Sequence, residues 1–247
     1  MELIVLGAGP AYTDRPGASG ACYLVRKGPD AILLDLGQGS FTGVFAEIEP
    51  SRLAAVLVSH LHPDHFVDLV AFRHYLRFEF DPPRRIAVHA DARIAERLDG
   101  LHAQPGFTAA AIDVVPLGAE KRTIGALEVE ARRVTHTDDS YAFRVSGSNG
   151  PGLVYSGDVG VADDLAPLIR PGDVLLSEVS FGAGPVEPSA QHLDGPAVGH
   201  VAAATGAGRV LLTHLQMGHD CAATIASVRS VYDGPVELVE PGYRTTI

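Results

Sequence analysis

The sequence predicts an α/β sandwich of two βα layers with a site on their shared edge, and three observations carry that prediction. Apolar runs of strand length alternate with helical patterns along most of the 247 residues. The chain is 46% hydrophobic but only 6% aromatic, so its core is built from Ala, Val, Leu and Ile, as suits a large layered α/β fold. Val56-Leu57-Val58-Ser59-His60-Leu61 is also echoed almost position for position by Val210-Leu211-Leu212-Thr213-His214-Leu215. Two halves built alike, a pseudo-twofold internal repeat, place both histidines at equivalent strand ends. The length suits one domain spanning residues 1–247.

The elements follow in order. Residues 2–7 read as a strand. Tyr12 stands where a third glycine would complete the dinucleotide fingerprint begun by Gly7-Ala8-Gly9, which argues against such a site. Tyr12 to Gly20, with Pro16 and Gly17, reads as a polar loop. Strands at 21–27 and 31–36 flank the turn Gly28-Pro29-Asp30. Asp35 closes the second strand and suits either support of a metal-bound histidine or capping of the helix at 41–48. The apolar run 53–58 is a buried strand. A helix at 66–78 turns Phe72 and Tyr75 to the core and Arg73, His74 and Arg77 to solvent.

Pro82-Pro83 ends that pattern. A strand at 86–89, a helix at 92–98 and a loop at 101–110 follow. Strands are then expected at 112–115, 126–133, 141–146 and 152–156, and a helix at 162–168. The remaining elements are a strand at 173–177, an irregular exposed loop at 178–191 and a helix at 194–205. A strand at 210–214, a helix at 220–230 and a last strand at 235–240 complete the chain.

The formal net charge of −11 argues against non-specific nucleic-acid binding, which needs basic surface. It leaves a phosphate substrate open, because bound cations can supply local positive charge. Arg84-Arg85 and Arg132-Arg133 are short basic pairs on solvated surface. No apolar run reaches the length of a membrane span, and the N-terminus lacks the basic region of a signal peptide, so a cytoplasmic protein without membrane partners is expected. Cys22 and Cys221 are isolated thiols, as in a reducing compartment. No Gly-x-Ser-x-Gly occurs, so serine-nucleophile hydrolysis has no motif to rest on.

The chemistry gathers at Ser59-His60-Leu61-His62-Pro63-Asp64-His65, a turn at the carboxyl end of a core strand. Such strand ends are where sheets place reactive groups. His136, Asp158 and His214 also end apolar strands, whereas His89 and His102 fall in no ligand spacing. His219, which stands where His65 would in the echo, reads as a surface or supporting residue because Gln216 and Gly218 replace His62 and Asp64. His60, His62, Asp64, His65, His136, Asp158 and His214 together offer five imidazoles and two carboxylates. One zinc needs three protein ligands and a water. Seven donors suit two divalent ions with a carboxylate between them. Zinc is the expected metal, and the same donors accept manganese or iron.

The motif His-x-His-x-Asp-His at 60–65, His136, Ser156-Gly157-Asp158 and Leu212-Thr213-His214 resemble metallo-β-lactamase-fold hydrolases over nearly the whole chain. That resemblance implies a four-layer αββα sandwich and a binuclear metal site. Residues 135–144, 155–158 and 175–178, with His192, resemble ribonuclease Z, the tRNA 3′-processing endoribonuclease. By that resemblance His60, His62 and His136 hold one metal, Asp64, His65 and His214 the other, and Asp158 bridges them. A water shared by two dications is largely hydroxide near neutral pH, and Asp64 would orient it. His192 would contact the scissile phosphate or protonate the leaving oxygen, with Glu178 orienting it.

The chain departs from ribonuclease Z in three places. Only 21 residues separate His136 from Asp158, where that family carries a long tRNA-gripping arm. Ser177 replaces the histidine that usually precedes the Glu178-like residue, and Tyr12 to Gly17 lacks the family's Pro-x-Lys-x-Arg. With the acidic charge, these differences favour a small phosphodiester. The compact layout resembles actinobacterial proteins of this fold that hydrolyse cyclic nucleotides. A phosphodiesterase on a small phosphodiester, such as a 3′,5′-cyclic nucleotide, is therefore expected. A tRNA endonuclease and a carboxyl-ester, lactone or sulfate-ester hydrolase are the alternatives. Dimers are common in this superfamily, so the resemblance also points to a homodimer.

Overall fold

A computed structural model describes residues 1–15, 17–147 and 150–247; Pro16, placed in the predicted N-terminal loop, lies outside them. One sheet takes β1 (Glu2–Gly7), β2 (Cys22–Lys27), β3 (Asp30–Leu34), β4 (Ala55–Leu57), β5 (Ile86–Ala90) and β6 (Ile112–Pro116). The other takes β7 (Arg122–Ile124), β8 (Leu127–Arg133), β9 (Tyr141–Ser146), β10 (Leu153–Tyr155), β11 (Val174–Glu178), β12 (Arg209–Thr213) and β13 (Val236–Leu238). β14 (Arg244–Thr246) returns to pair with β1. Among the described residues each sheet has seven strands, in the orders β14-β1-β2-β3-β4-β5-β6 and β13-β12-β11-β10-β9-β8-β7.

The two orders share one plan. β1, β2 and β3 pair antiparallel, then β3 to β6 run parallel. β8, β9 and β10 pair antiparallel, then β10 to β13 run parallel. Antiparallel neighbours need only short turns, whereas parallel neighbours need crossovers. The crossovers carry the helices: α1 (Phe41–Glu47), α2 (Pro63–Phe66), α3 (Leu69–Phe78) and α4 (Ile94–His102) in the first half, α5 (Gly195–Thr205) and α6 (Cys221–Arg229) in the second. The predicted internal repeat is therefore real, with one correction. The plan matches β4 to β11 and β5 to β12, so His60 after β4 and His214 after β12 do not occupy equivalent strand ends.

Side chains alternate across each strand. In the first sheet Leu3, Val5, Tyr23 and Val25 point inward and meet Phe143, Tyr155 and Leu176 of the second. Ile4 and Leu24 point outward to Phe41, Phe72, Leu76 and Leu98 on the helices. Val154, Leu175 and Leu212 pack outward against Val198 and Val201 of α5. These three apolar layers produce the four-layer αββα sandwich.

Several local expectations change. The helix expected at 66–78 is split into α2 and α3, and Asp68 between them accepts the Phe41 backbone N–H at 2.9 Å. That bond serves the start of α1, so Asp35 is not its cap. α4 runs on through His102 into the stretch read as loop and ends on Ala103 at φ 54°. The helix expected at 162–168 is a single 3₁₀ turn, Ala162–Leu165. β7 and β14 went unpredicted because three-residue edge strands carry little alternation. Arg73 is buried rather than solvated: its Nε donates to the Phe107 carbonyl at 2.6 Å and its guanidinium stacks 4.0 Å from that ring. The loop after β11 begins buried, at Val179 and Ser180. Among the described residues no helix is long and apolar enough to cross a membrane.

Candidate metal centre

β4 stops at Leu57, and Pro63 then opens α2 as its first residue, the helix position that suits a fixed φ and a missing N–H. His62 immediately precedes that short turn, and Asp64 and His65 lie within it. The turn is held against the rest of the site by backbone bonds. Tyr141 N–H donates to the Ser59 carbonyl at 2.9 Å and Ala21 N–H to the Asp64 carbonyl at 3.0 Å.

The predicted donors converge as two groups. His62 Nδ1 lies 3.0 Å from His60 Nε2 and 3.2 Å from His136 Nε2. These two Nε2 atoms lie 3.7 and 3.8 Å from Asp158 Oδ2. His214 Nε2 lies 3.3 Å from His65 Nε2 and 3.2 Å from Asp64 Oδ2. Within each cluster the donor atoms all fall within 4.8 Å of one another. His74, His89, His102 and His219 stand outside both.

Asp158 faces both groups. Its Oδ1 is 3.3 Å from His65 Nε2 and 3.6 Å from His214 Nε2, and it is buried without a hydrogen bond among the described residues. A buried, unsatisfied carboxylate oxygen is costly unless a cation meets it. The donors are imidazole nitrogen and carboxylate oxygen with no thiolate, the set that borderline divalent ions take. The residues present therefore fit a metal centre. Gly157 aims Asp158 here: it sits at φ +57°, and a Cβ on it would lie 2.9 Å from Ser59 Cβ and from the Tyr141 carbonyl. His214 also has left-handed backbone, at φ 58°.

Outer bonds set the ring orientations. Asp35 Oδ2 faces His65 Nδ1 at 2.7 Å and accepts from Tyr155 OH at 2.6 Å, so Asp35 is a support residue and not a helix cap. Ser59 Oγ faces His60 Nδ1 at 3.1 Å, and the Gln191 carbonyl faces His136 Nδ1 at 2.8 Å. His192 Nδ1 is 2.9 Å from Glu178 Oε1, and Asp158 Oδ2 lies 4.0 Å away. Asp158, Glu178 and His192 form a third close group. The Glu178 oxygens are already engaged by the Val159 and Ser180 backbone N–H groups and the Ser180 hydroxyl. They orient His192 rather than stand open to an ion. Ser59, Tyr155, Ser180 and Gln191 were not singled out from sequence; the first three lie at or just past strand ends and Gln191 in the connection between β11 and α5, and nothing else in their sequence context marks them.

The electrostatics match this division. Burial, with neighbouring imidazoles, holds His60 and His62 below the ordinary histidine range. They stay neutral with lone pairs to offer. Burial opposes charge on His65 and His214, but Asp158 acting with Asp35 on the former and Asp64 on the latter raises both. Burial likewise opposes the Asp158 and Asp64 carboxylates, yet the surrounding histidines pull both down, Asp158 strongly. Without a cation the carboxylates draw protons onto their imidazole neighbours. Metal binding releases such protons.

The donors border a cleft of about 280 Å³ whose wall includes Tyr12, Asp64, Asp158, His192, His214 and Gln216. A larger hollow of about 540 Å³ beside Arg15 and Glu240 holds none of these donors.

An αββα sandwich with imidazole and carboxylate clusters at one edge is the plan of a metal-dependent hydrolase. Residues 30–215 match the Beta-lactamase superfamily domain, and the chain belongs to that superfamily. It is 30% identical over 247 residues to the uncharacterized protein Rv1339 of Mycobacterium tuberculosis, spanning 97% of this chain and 89% of that protein. It is 26% identical over 250 residues to the probable metallo-hydrolase YhfI of Bacillus subtilis, covering 98% of each. The crystal structure of YhfI superposes with a TM-score of 0.87 at 23% identity, over 99% of this chain and 98% of that one. Human tRNase Z, short form, shares the fold at a TM-score of 0.75 and 20% identity, over 100% and 99%.

Proposed function

We propose that the protein is a two-metal phosphodiesterase acting on a small phosphodiester, with a 3′,5′-cyclic nucleotide as the favoured class. The carrying observation is Asp158, which turns one carboxylate oxygen toward each cluster and leaves Oδ1 without a hydrogen bond. In this reading His60, His62, His136 and Asp158 hold one ion, and Asp64, His65, His214 and Asp158 the other. Zinc is the expected metal, with manganese or iron as alternatives. Bound by these residues, divalent ions would supply Lewis acidity toward phosphoryl oxygens and would make water a competent nucleophile at neutral pH.

The protein's own groups do the rest. Asp64, 3.2 Å from His214 and on the cleft wall, orients the attacking water. His192, bonded through Nδ1 to Glu178, turns its other nitrogen free to protonate the leaving oxygen. Burial opposes charge on His192, but the Glu178 bond outweighs it and raises its proton affinity, as suits an acid.

Cleft size and connection length support a small substrate. Only 21 residues separate His136 from Asp158, and β9 and β10 lie among them, so the connection is too short for an arm of the tRNA-gripping kind. The net charge of −11 also opposes a tRNA surface. The likeness to human tRNase Z keeps tRNA cleavage as the second reading.

The test is a substrate panel with metal-loaded protein: 3′,5′-cAMP, bis-p-nitrophenyl phosphate, a precursor tRNA, a lactone and an aryl sulfate. Turnover of the cyclic nucleotide and the aryl diester is expected. Cleavage of the tRNA alone, or of the lactone or sulfate alone, would overturn the reading.

A further inference from the structure

The same hydrogen-bond unit occurs twice beneath the site. In the first, Ser59 donates its backbone N–H to Asp35 Oδ1 at 2.6 Å and its hydroxyl to Asp35 Oδ2 at 2.7 Å. The carboxylate then faces His65 Nδ1 and the serine oxygen faces His60 Nδ1. In the second, Ser180 donates its backbone N–H and its hydroxyl to Glu178 Oε2, at 3.1 and 2.6 Å. Here the carboxylate faces His192 Nδ1 at 2.9 Å and the serine oxygen faces His214 Nδ1 at 3.1 Å. Both serines are fully buried.

The units differ in what they serve. Both histidines on Asp35–Ser59 belong to the donor clusters. On Glu178–Ser180 only His214 belongs to the two predicted clusters, while His192, grouped with Asp158 and Glu178, stands over the cleft. The second unit therefore spans the boundary between ion binding and proton transfer.

Donor arithmetic gives Ser180 a definite task. A hydroxyl has one hydrogen. The short contact to a carboxylate, which only accepts, uses it. The Ser180 oxygen can then only accept at His214, so His214 Nδ1 carries the N–H and its Nε2 keeps the lone pair. That Nε2 points at Asp64 and His65. The same hydroxyl satisfies Glu178 Oε2, leaving Oε1 for Val159 N–H and His192.

We propose that Ser180 is a positioning residue that holds His214 in its cation-binding tautomer and Glu178–His192 in its proton-donating geometry, so that one hydroxyl couples metal retention to leaving-group protonation. The first half needs only the donor cluster; the second rests on the phosphodiesterase reading.

The experiment compares Ser180→Ala and Ser180→Thr with the full-length, zinc-loaded wild type. Zinc retention is measured against a competing chelator with no substrate present. Turnover is measured on one diester with a p-nitrophenolate leaving group, which needs no proton, and one with an alkoxide, which does. Ser180→Ala should lose about 10- to 100-fold in zinc affinity. Its kcat should fall further on the alkoxide substrate than on the aryl one, and Thr should restore both properties. Wild-type zinc retention, or an unchanged ratio of the two rates, overturns the coupling. If the wild type turns over no diester, the phosphodiesterase reading fails, and the zinc measurement alone still decides the His214 half. If Ser180→Ala does not fold by circular dichroism, Ser180→Cys, similar in size with a weak donor, is read by the same outcomes.

Discussion

Asp158 Oδ1 stands 3.3 Å from His65 Nε2 yet is misaligned for a hydrogen bond, while Oδ2 of the same carboxylate looks toward His60 and His136. One side chain thus faces two donor groups, each of which joins residues of the turn after β4 to a histidine from the second half of the fold. Replacing it with the near-isosteric Asn should preserve folding and lower bound metal by at least one equivalent per chain. Elemental analysis after gel filtration reads this directly. Chelating the wild type should also lower its melting temperature, since metal at 100 times its dissociation constant contributes about 2.7 kcal/mol. An Asp158→Asn protein with full metal content would contradict the bridging role.

Gly157 is the hinge that delivers Asp158. With φ at +57° and 2.9 Å between an added Cβ and both Ser59 Cβ and the Tyr141 carbonyl, alanine meets backbone strain and a clash together. Gly157→Ala should cost more than about 1 kcal/mol of stability. Urea unfolding midpoints measure it, and a neutral result would mean the turn relaxes freely.

Tyr12 is 73% exposed on the cleft wall, and the Gln38 side-chain amide braces its loop by donating to the Pro10 and Ala11 carbonyls. An aromatic face at that position suits stacking on a nucleobase, an interaction of about 1–3 kcal/mol. Under the phosphodiesterase proposal, Tyr12→Ala is therefore predicted to raise KM for a cyclic nucleotide about tenfold with kcat little changed. Steady-state kinetics on that substrate decide it; an unaltered KM would place the base elsewhere.

Arg144 and Asp173 form a buried bidentate pair at 2.7 and 2.9 Å, away from the cleft. Burial disfavours the Asp173 carboxylate, but Arg144 and the Gly152 and Arg170 backbone N–H groups outweigh it and lower its pKa. A lowered folded-state value means stability that is present above the ordinary carboxylate range and lost as pH falls through the folded value. Asp173→Asn should cost about 3–5 kcal/mol at neutral pH and should flatten the loss of stability on acidification. Urea titrations at neutral and acidic pH compare the two proteins; parallel pH dependence would reject this account.

Much of the site was readable because its residues sit where apolar runs stop. The run ending at Val58 locates His60, that ending at Tyr155 locates Asp158, and that ending at Thr213 locates His214. His192 and Glu178 were legible only through resemblance, since neither lies in a spacing that a metal or an acid requires. Arg73 and the stretch after β11 were misread because charge and glycine content suggest solvent, while the partners that bury them come from distant segments.

Composition and the order of apolar runs determined, by themselves, the layered architecture and seven donor side chains at strand ends. Those features are encoded by neighbours along the chain, through side-chain alternation and turn chemistry. The tertiary structure decided the rest: that β12 matches β5 and not β4, that Asp158 faces both donor groups, and that Asp35 meets Tyr155 across 120 positions of sequence. Hydrogen-bond roles change over a few tenths of an ångström, and only packed sheets set distances that finely between segments so far apart.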